Sequence, residues 1–271
     1  MQRSWLIGGV AAIGIAFAGV AVADPAPTSN DNAVVAQAVV GGDYSYVGLN
    51  QGLGHANVYG GDIGGIVPFS DSFSGQVTGG YQRFDVNGGG ANDWNVAGGL
   101  AWDRSQGRLG VNVGYSSIGV SNASGNVTNY GVFGTYYAGD QFTLGARAGG
   151  VTGTANAFGF TGSRTGGYAG GEAIAYATPD IAVRGTVGYV GISGGHQWTA
   201  GVHGEALLSE KTPISAWAGY DYASIGNNAF SINGNTFSIG LKYYLGGGGS
   251  LRTHQRTGED DWAVAPLDLT H

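Results

Sequence analysis

The sequence predicts an all-β fold, an up-and-down antiparallel transmembrane β-barrel of about twelve strands, within a range of roughly ten to fourteen. Three observations predict it. Only 11% of the 271 residues are charged, while 55 are glycine. Apolar residues alternate with small or polar ones, in phase, over segments of about nine to eleven residues, the length a tilted strand needs to cross a bilayer. Clusters of turn-forming residues punctuate these segments at regular intervals.

Composition excludes several alternatives. A soluble domain would carry more Lys and Glu on its surface, and no internal run is long and apolar enough to span a membrane as a helix. The net charge of −7, with no basic stripe, argues against nucleic acid as a partner. The absence of cysteine fits an oxidising compartment without disulfides and rules out a lipid anchor on a processed N-terminal Cys.

The N-terminus reads as an export address. Arg3 supplies a positive start, Trp5 to Val20 an apolar run, and Ala21-Val22-Ala23 a small-residue cleavage site before Asp24. These are the three parts of a secretory leader, residues 1–23. Residues 24–42, opening with Pro25 and Pro27, read as a periplasmic linker. Within it Ala33 to Val40 suits either a short helix or a first piece of strand.

The barrel is expected over residues 43–245. Leu109, Val111, Val113 and Tyr115 share one face, opposite Arg108, Gly110, Asn112, Gly114 and Ser116. Phe142 to Gly149, Ile181 to Tyr189, Trp198 to Leu208 and Phe237 to Leu245 repeat the pattern. Short turns fall at Ser70–Ser72, Ser105–Gly107, Gly139–Gln141, Thr178–Asp180 and Ser209–Thr212. Longer polar loops are expected near Val86–Asp93, Ser121–Thr128, Ala155–Thr165 and Ser224–Asn235, with a shorter one at Gly191–Gly195. Short turns alternating with long loops predict two unlike rims, and an even strand count puts both ends on the short-turn side. A lipocalin-like soluble barrel would turn its apolar face inward. Here the apolar face carries Trp94, Trp102, Trp198, Tyr220, Tyr222 and Tyr243, as interfacial girdles do. Lumen glycines such as Gly110, Gly145 and Gly240 are read as permitting the curvature of a narrow barrel.

Ser238-Ile239-Gly240-Leu241-Lys242-Tyr243-Tyr244-Leu245 places a polar residue, a glycine, an aromatic and an apolar residue at set intervals. It resembles the signal that the barrel-assembly machinery reads on the last strand of outer-membrane proteins, carried here by Ser238, Gly240, Tyr243 and Leu245. With the leader and the alternating strands, residues 44–245 resemble the porin-like outer-membrane β-barrel proteins of alphaproteobacteria. That resemblance implies a Gram-negative outer membrane, contact with its lipid and lipopolysaccharide, and assembly by the barrel machinery. The departure is residues 246–271, since most such barrels stop at the last aromatic residue. By topology this tail is periplasmic, as is the N-terminus. Its plainer reading is a disordered extension.

Strand-borne charges are the candidate functional residues. Arg147, Glu172, Arg184 and Glu205 fall on four consecutive strands at comparable distances from the short-turn rim. Glu172 shares its phase with Ile174 and Tyr176, which blurs its face. Charge facing lipid is costly, so these side chains should line the lumen as an alternating ladder. The ladder would act either as a structural brace or as a charge filter. His203, Asp221 and Lys242 join them as polar lumen residues. His203 lies two residues from Glu205, a spacing that suits a general base or a metal ligand. No nucleophile signature accompanies it, so no catalysis, metal or cofactor is expected. The expected function is porin-like passage of small hydrophilic solutes through a narrow charged lumen. The alternative is a closed structural or surface-interaction barrel without transport.

Overall fold

The computed structural model describes residues 34–50, 54–86, 89–120, 123–157, 160–209, 211–227, 231–246 and 249–257. The expected leader, the linker up to residue 33 and the tail beyond 257 lie outside the described residues. The strands are β1 Gln37–Leu49, β2 Gly54–Ser70, β3 Phe73–Val86, β4 Gly89–Arg104, β5 Gly107–Val120, β6 Ala123–Ala138, β7 Phe142–Ala157, β8 Phe160–Thr178, β9 Ile181–Ile192, β10 Gly195–Ser209, β11 Ile214–Gly226 and β12 Ser231–Gly246. A short helix, α1, follows at Leu251–Thr257. Each strand pairs antiparallel with its sequence neighbours, and β12 pairs with β1 from Gln37–Gly246 to Leu49–Gly234. The sheet is thus a closed barrel with no free strand edge.

The strands tilt. Cross-strand partners followed from Asp43 on β1 run through Gly60, Gln82, Asp93 and Ile118 to Gly125, two residues from the far end of β6. This stagger lets a sheet of this width close.

The outer face is apolar and uncovered. Leu100, Val113, Val187 and Ile239 are 57–60% exposed. Aromatic side chains border this belt on both sides. Phe73, Trp102, Tyr136 and Tyr243 stand toward the short-turn rim, and Tyr59, Tyr81, Trp94, Tyr130 and Trp198 toward the other. Trp94 and Trp102 lie on one strand about 26 Å apart at ~3.3 Å per residue. Tilt shortens that to a height close to the apolar band of outer-membrane barrels, about 25 Å. Neighbouring rings pack, as in Trp94–Tyr115 and Tyr189–Trp198, with centroids 5.2 and 4.5 Å apart.

Three expectations need correction. β1 opens at Gln37, so residues 37–42 belong to the barrel rather than to a linker. Their inward side chains, Gln37 and Val39, are buried, which the Pro- and Gly-rich flanks concealed. The long loops are absent among the described strands' connections. Val86–Asp93, Ser121–Thr128 and Ala155–Thr165 are almost wholly strand, and the connections on that side span only residues 50–53, 87–88, 121–122, 158–159, 193–194 and 227–230. The strands are correspondingly longer than expected, 12 to 19 residues. In these extensions polar residues stand on both faces, so alternation fades from the sequence while the backbone ladder continues. Third, the tail does not simply trail from the barrel, because its first part folds as α1.

Candidate functional site: the barrel lumen

Alternation sends every second side chain inward, and the cross-strand register fixes which ones. Arg147, Glu172, Arg184 and Glu205 lie on β7, β8, β9 and β10 with lumen phase, as do His203 on β10, Asp221 on β11 and Lys242 on β12. Within the expected ladder Arg184 Nε reaches Glu172 Oε2 at 3.5 Å, and the Glu172 carboxylate is buried. Arg147 sits one inward position further along, opposite Gly170. His203 faces Arg184 across the β9–β10 pair, and its Nε2 lies 2.9 Å from Asp221 Oδ1. The ladder's last member has other company. Glu205 Oε1 accepts from Ser215 Oγ at 2.5 Å and Tyr244 Oη at 2.7 Å, and its Oε2 accepts from Gln255 Nε2 at 3.1 Å.

The lumen holds further charge that the sequence reading did not single out. Asp43 and Asp62 on β1 and β2 and Asp93 on β4 all point inward. Lys242, Gly41 and Asp62 form one cross-strand row, with the Asp62 carboxylate lying over Gly41. Nearer the short-turn rim, Arg108 Nε binds Asp103 Oδ1 at 2.8 Å and its Nη2 donates to Ser74 Oγ at 3.1 Å. Asp103 and Arg108 flank a short turn, where they read as ordinary turn polarity. Among the described residues no group of three or more potential metal ligands occurs.

The lumen glycines serve a purpose besides curvature. Glu172 lies across Gly145, the His203 ring across Gly219, and the Trp217 ring across Gly240. In each case a Cβ on the glycine would fall within 3 Å of the neighbour's side chain. Glycine on one strand is therefore the hollow in which the large side chain of the next lies flat against the wall.

The short-turn mouth is occupied by α1. Ser250 caps the helix, its Oγ accepting from Thr253 N at 3.3 Å. Seven residues are far too few for a helix to persist alone, so α1 depends on its seat. Leu251 is fully buried among Val39, Ile174, Tyr176, Ala182 and Tyr244. That cluster accounts for the lumen phase of Ile174 and Tyr176, which blurred the face of Glu172 in the sequence. His254 stacks on Tyr244 with centroids 4.4 Å apart, and its Nδ1 lies 2.9 Å from Gln37 Oε1. Burial lowers the His254 pKa from 6.5 to about 4, against the opposing pull of Glu205 and Asp180. Arg256 reaches across to the β6–β7 turn. Its Nη2 donates to Gly139 O at 2.7 Å and Phe142 O at 2.8 Å, and its Nε donates to Thr143 Oγ1 at 3.1 Å. The guanidinium lies 5.1 and 5.3 Å from the ring centroids of Tyr137 and Tyr176. Arg252 N donates to Pro179 O at 2.9 Å, and Val35 N bonds Thr257 O at 3.4 Å. The helix thus spans from the β6–β7 and β8–β9 turns to the β12–β1 pair.

Toward the other rim the inner wall is apolar. Val58, Phe84, Ala91 and Ile118 pack together with Val47 against them. On the opposite side Val151 and Tyr168 pack with Val127 and Val190. The lumen is layered, with apolar walls at the far end, a charged belt in the middle and a seated helix at the short-turn end.

The assembly-signal residues divide by face. Ser238 points inward and its Oγ lies 2.8 Å from Ser45 Oγ across the β12–β1 pair. Gly240 lies beneath Trp217, whereas Tyr243 and Leu245 face outward.

No family model and no curated protein sequence matches the chain. Solved structures do. The translocator domain of the autotransporter NalP from Neisseria meningitidis superposes with a TM-score of 0.50 at 15% identity, over 77% of this chain and 88% of that one. The NanC porin superposes with a TM-score of 0.50 at 12% identity, over 75% of this chain and all of the other. At such identities the likeness establishes the fold, which is that of the outer-membrane β-barrels.

Proposed function

We propose that this protein sits in the outer membrane as a porin-like barrel and passes small hydrophilic solutes through a narrow lumen whose charged belt sorts them. The observation that carries the reading is the belt itself. Arg147, Glu172, Arg184, His203 and Asp221 project into the lumen on adjacent strands, where side-chain charge sets pore selectivity. The uncovered apolar belt between two aromatic girdles supports a membrane location. Both barrel ends lie at the short-turn rim, which this reading assigns to the periplasm, with lipid and lipopolysaccharide outside and the assembly machinery reading Ser238, Gly240, Tyr243 and Leu245. Neither a cofactor nor a catalytic step is part of it.

Planar-bilayer recording on the folded chain tests the reading. Discrete current steps are expected, and Arg184→Ala should shift ion selectivity toward cations. Absence of steps from both the native chain and a variant with a loosened α1 would sink it. The second reading is a closed structural barrel, favoured specifically by α1 in the mouth. It predicts silence in both.

A further inference from the structure

We infer that α1 is a self-plug, a detachable gate that the chain docks into its own short-turn mouth, and that Arg256 is its principal latch. This rests on the channel reading above and adds its regulation. The seat is specific to the helix. Leu251 fills an apolar recess formed by β1, β8, β9 and β12. Arg256, 3% exposed, inserts between two tyrosine rings and is held by two turn carbonyls and a threonine hydroxyl. Tyr137 Oη closes the contact by donating to Arg256 O at 2.6 Å. The inward apolar side chains at this mouth are matched by an apolar residue from outside the barrel.

The connection also suits a gate. Residues 247–250 join β12 to α1 through a run of glycines, so the helix can leave without any change in the strands. Its contacts are with lumen walls and turns, and it adds no strand to the sheet. The gate also touches the filter. Gln255 bonds Glu205, a charge on the inner wall that Tyr244 and Ser215 hold as well. Release of α1 therefore both clears the mouth and uncovers Oε2 of a carboxylate that faces the lumen.

Two readouts on the full chain separate gate from channel. The protein has no cysteine, so Thr257→Cys, at a position 2% exposed, reports seating through its rate of reaction with a water-soluble maleimide. Slow labelling is expected in that background and at least tenfold faster labelling when Arg256→Ala is added. In bilayers Arg256→Ala should raise the open fraction at least fivefold. A second variant, Gln37→Cys with His254→Cys, should be bridged by a bifunctional methanethiosulfonate reagent, suppress current, and recover it on reduction. Fast labelling without Arg256→Ala would overturn the plug. Faster labelling with an unchanged, non-zero current would overturn the gate and leave the channel standing. Faster labelling with no current in any variant would sink the channel reading, and the gate with it.

Discussion

The two ends of the lumen present the same problem and solve it differently. Both carry clusters of inward apolar side chains in a barrel whose middle holds most of its inward charge. At the far end Val58, Phe84, Ala91 and Ile118 satisfy one another along the wall. At the short-turn end Val39, Ile174, Tyr176 and Ala182 are completed by Leu251 from a segment beyond the last strand. The difference teaches that one apolar lumen cluster belongs to the barrel's own stability, and the other to a docking equilibrium laid over it.

Substitutions should expose that division. Phe84→Ala is expected to have the largest effect, costing the barrel about 3 kcal/mol as a buried large-to-small change. Urea unfolding of the refolded protein should shift accordingly, with maleimide labelling at position 257 unaffected; altered labelling would tie the two ends together. Leu251→Ala should cost about 2–3 kcal/mol, but to seating alone. Labelling should accelerate while heat-modifiable migration on gels stays native.

Acidification acts at the short-turn end. The seated His254 resists protonation, with a pKa of about 4 against 6.5 when free. Between those values the released helix takes up a proton that the seated one refuses, so seating weakens as pH falls through this window and is constant above it. At pH 5 the loss is about 2 kcal/mol. The groups facing His254 are Gln37 on β1, Tyr244 on β12, Glu205 on β10 and Asp180 in the β8–β9 turn. Maleimide reacts with the thiolate, so labelling is normalised at each pH to the urea-unfolded chain; the normalised rate at pH 5 should exceed that at pH 7.5, and His254→Gln should flatten the dependence. The smallest effect is expected in the middle layer. Glu172→Gln removes the negative charge beside Arg184 and should move ion selectivity toward anions by a few fold.

Much of the barrel was legible because a sheet with an apolar outer face and a polar inner face imposes alternation. The phase of β5, β7, β9, β10 and β12 and the five short turns follow from it. The strand extensions toward the far rim were not legible, since Asn, Ser, Thr and Gly serve a two-sided polar strand as well as a loop. The helix was not legible because seven residues after a glycine run carry no periodicity long enough to register. Its trace lay in the barrel, where Ile174 and Tyr176 broke the polar pattern of the lumen face. The tie of Glu205 to Gln255 depends on a segment whose position no local pattern encodes.

The seat of α1 has a consequence in time. Gln37 and Val39 come from the first strand, Tyr244 from the last, and Tyr176 and Thr143 from the middle of the chain. No fragment of the barrel holds them together, so the pocket comes into being only when β12 meets β1. The helix is then the final piece to settle, and it settles across the very seam that has just closed. A barrel that reopened there would first have to expel it. The segment that shuts the mouth therefore also clasps the ring, and it marks a finished molecule from one whose ends have yet to join.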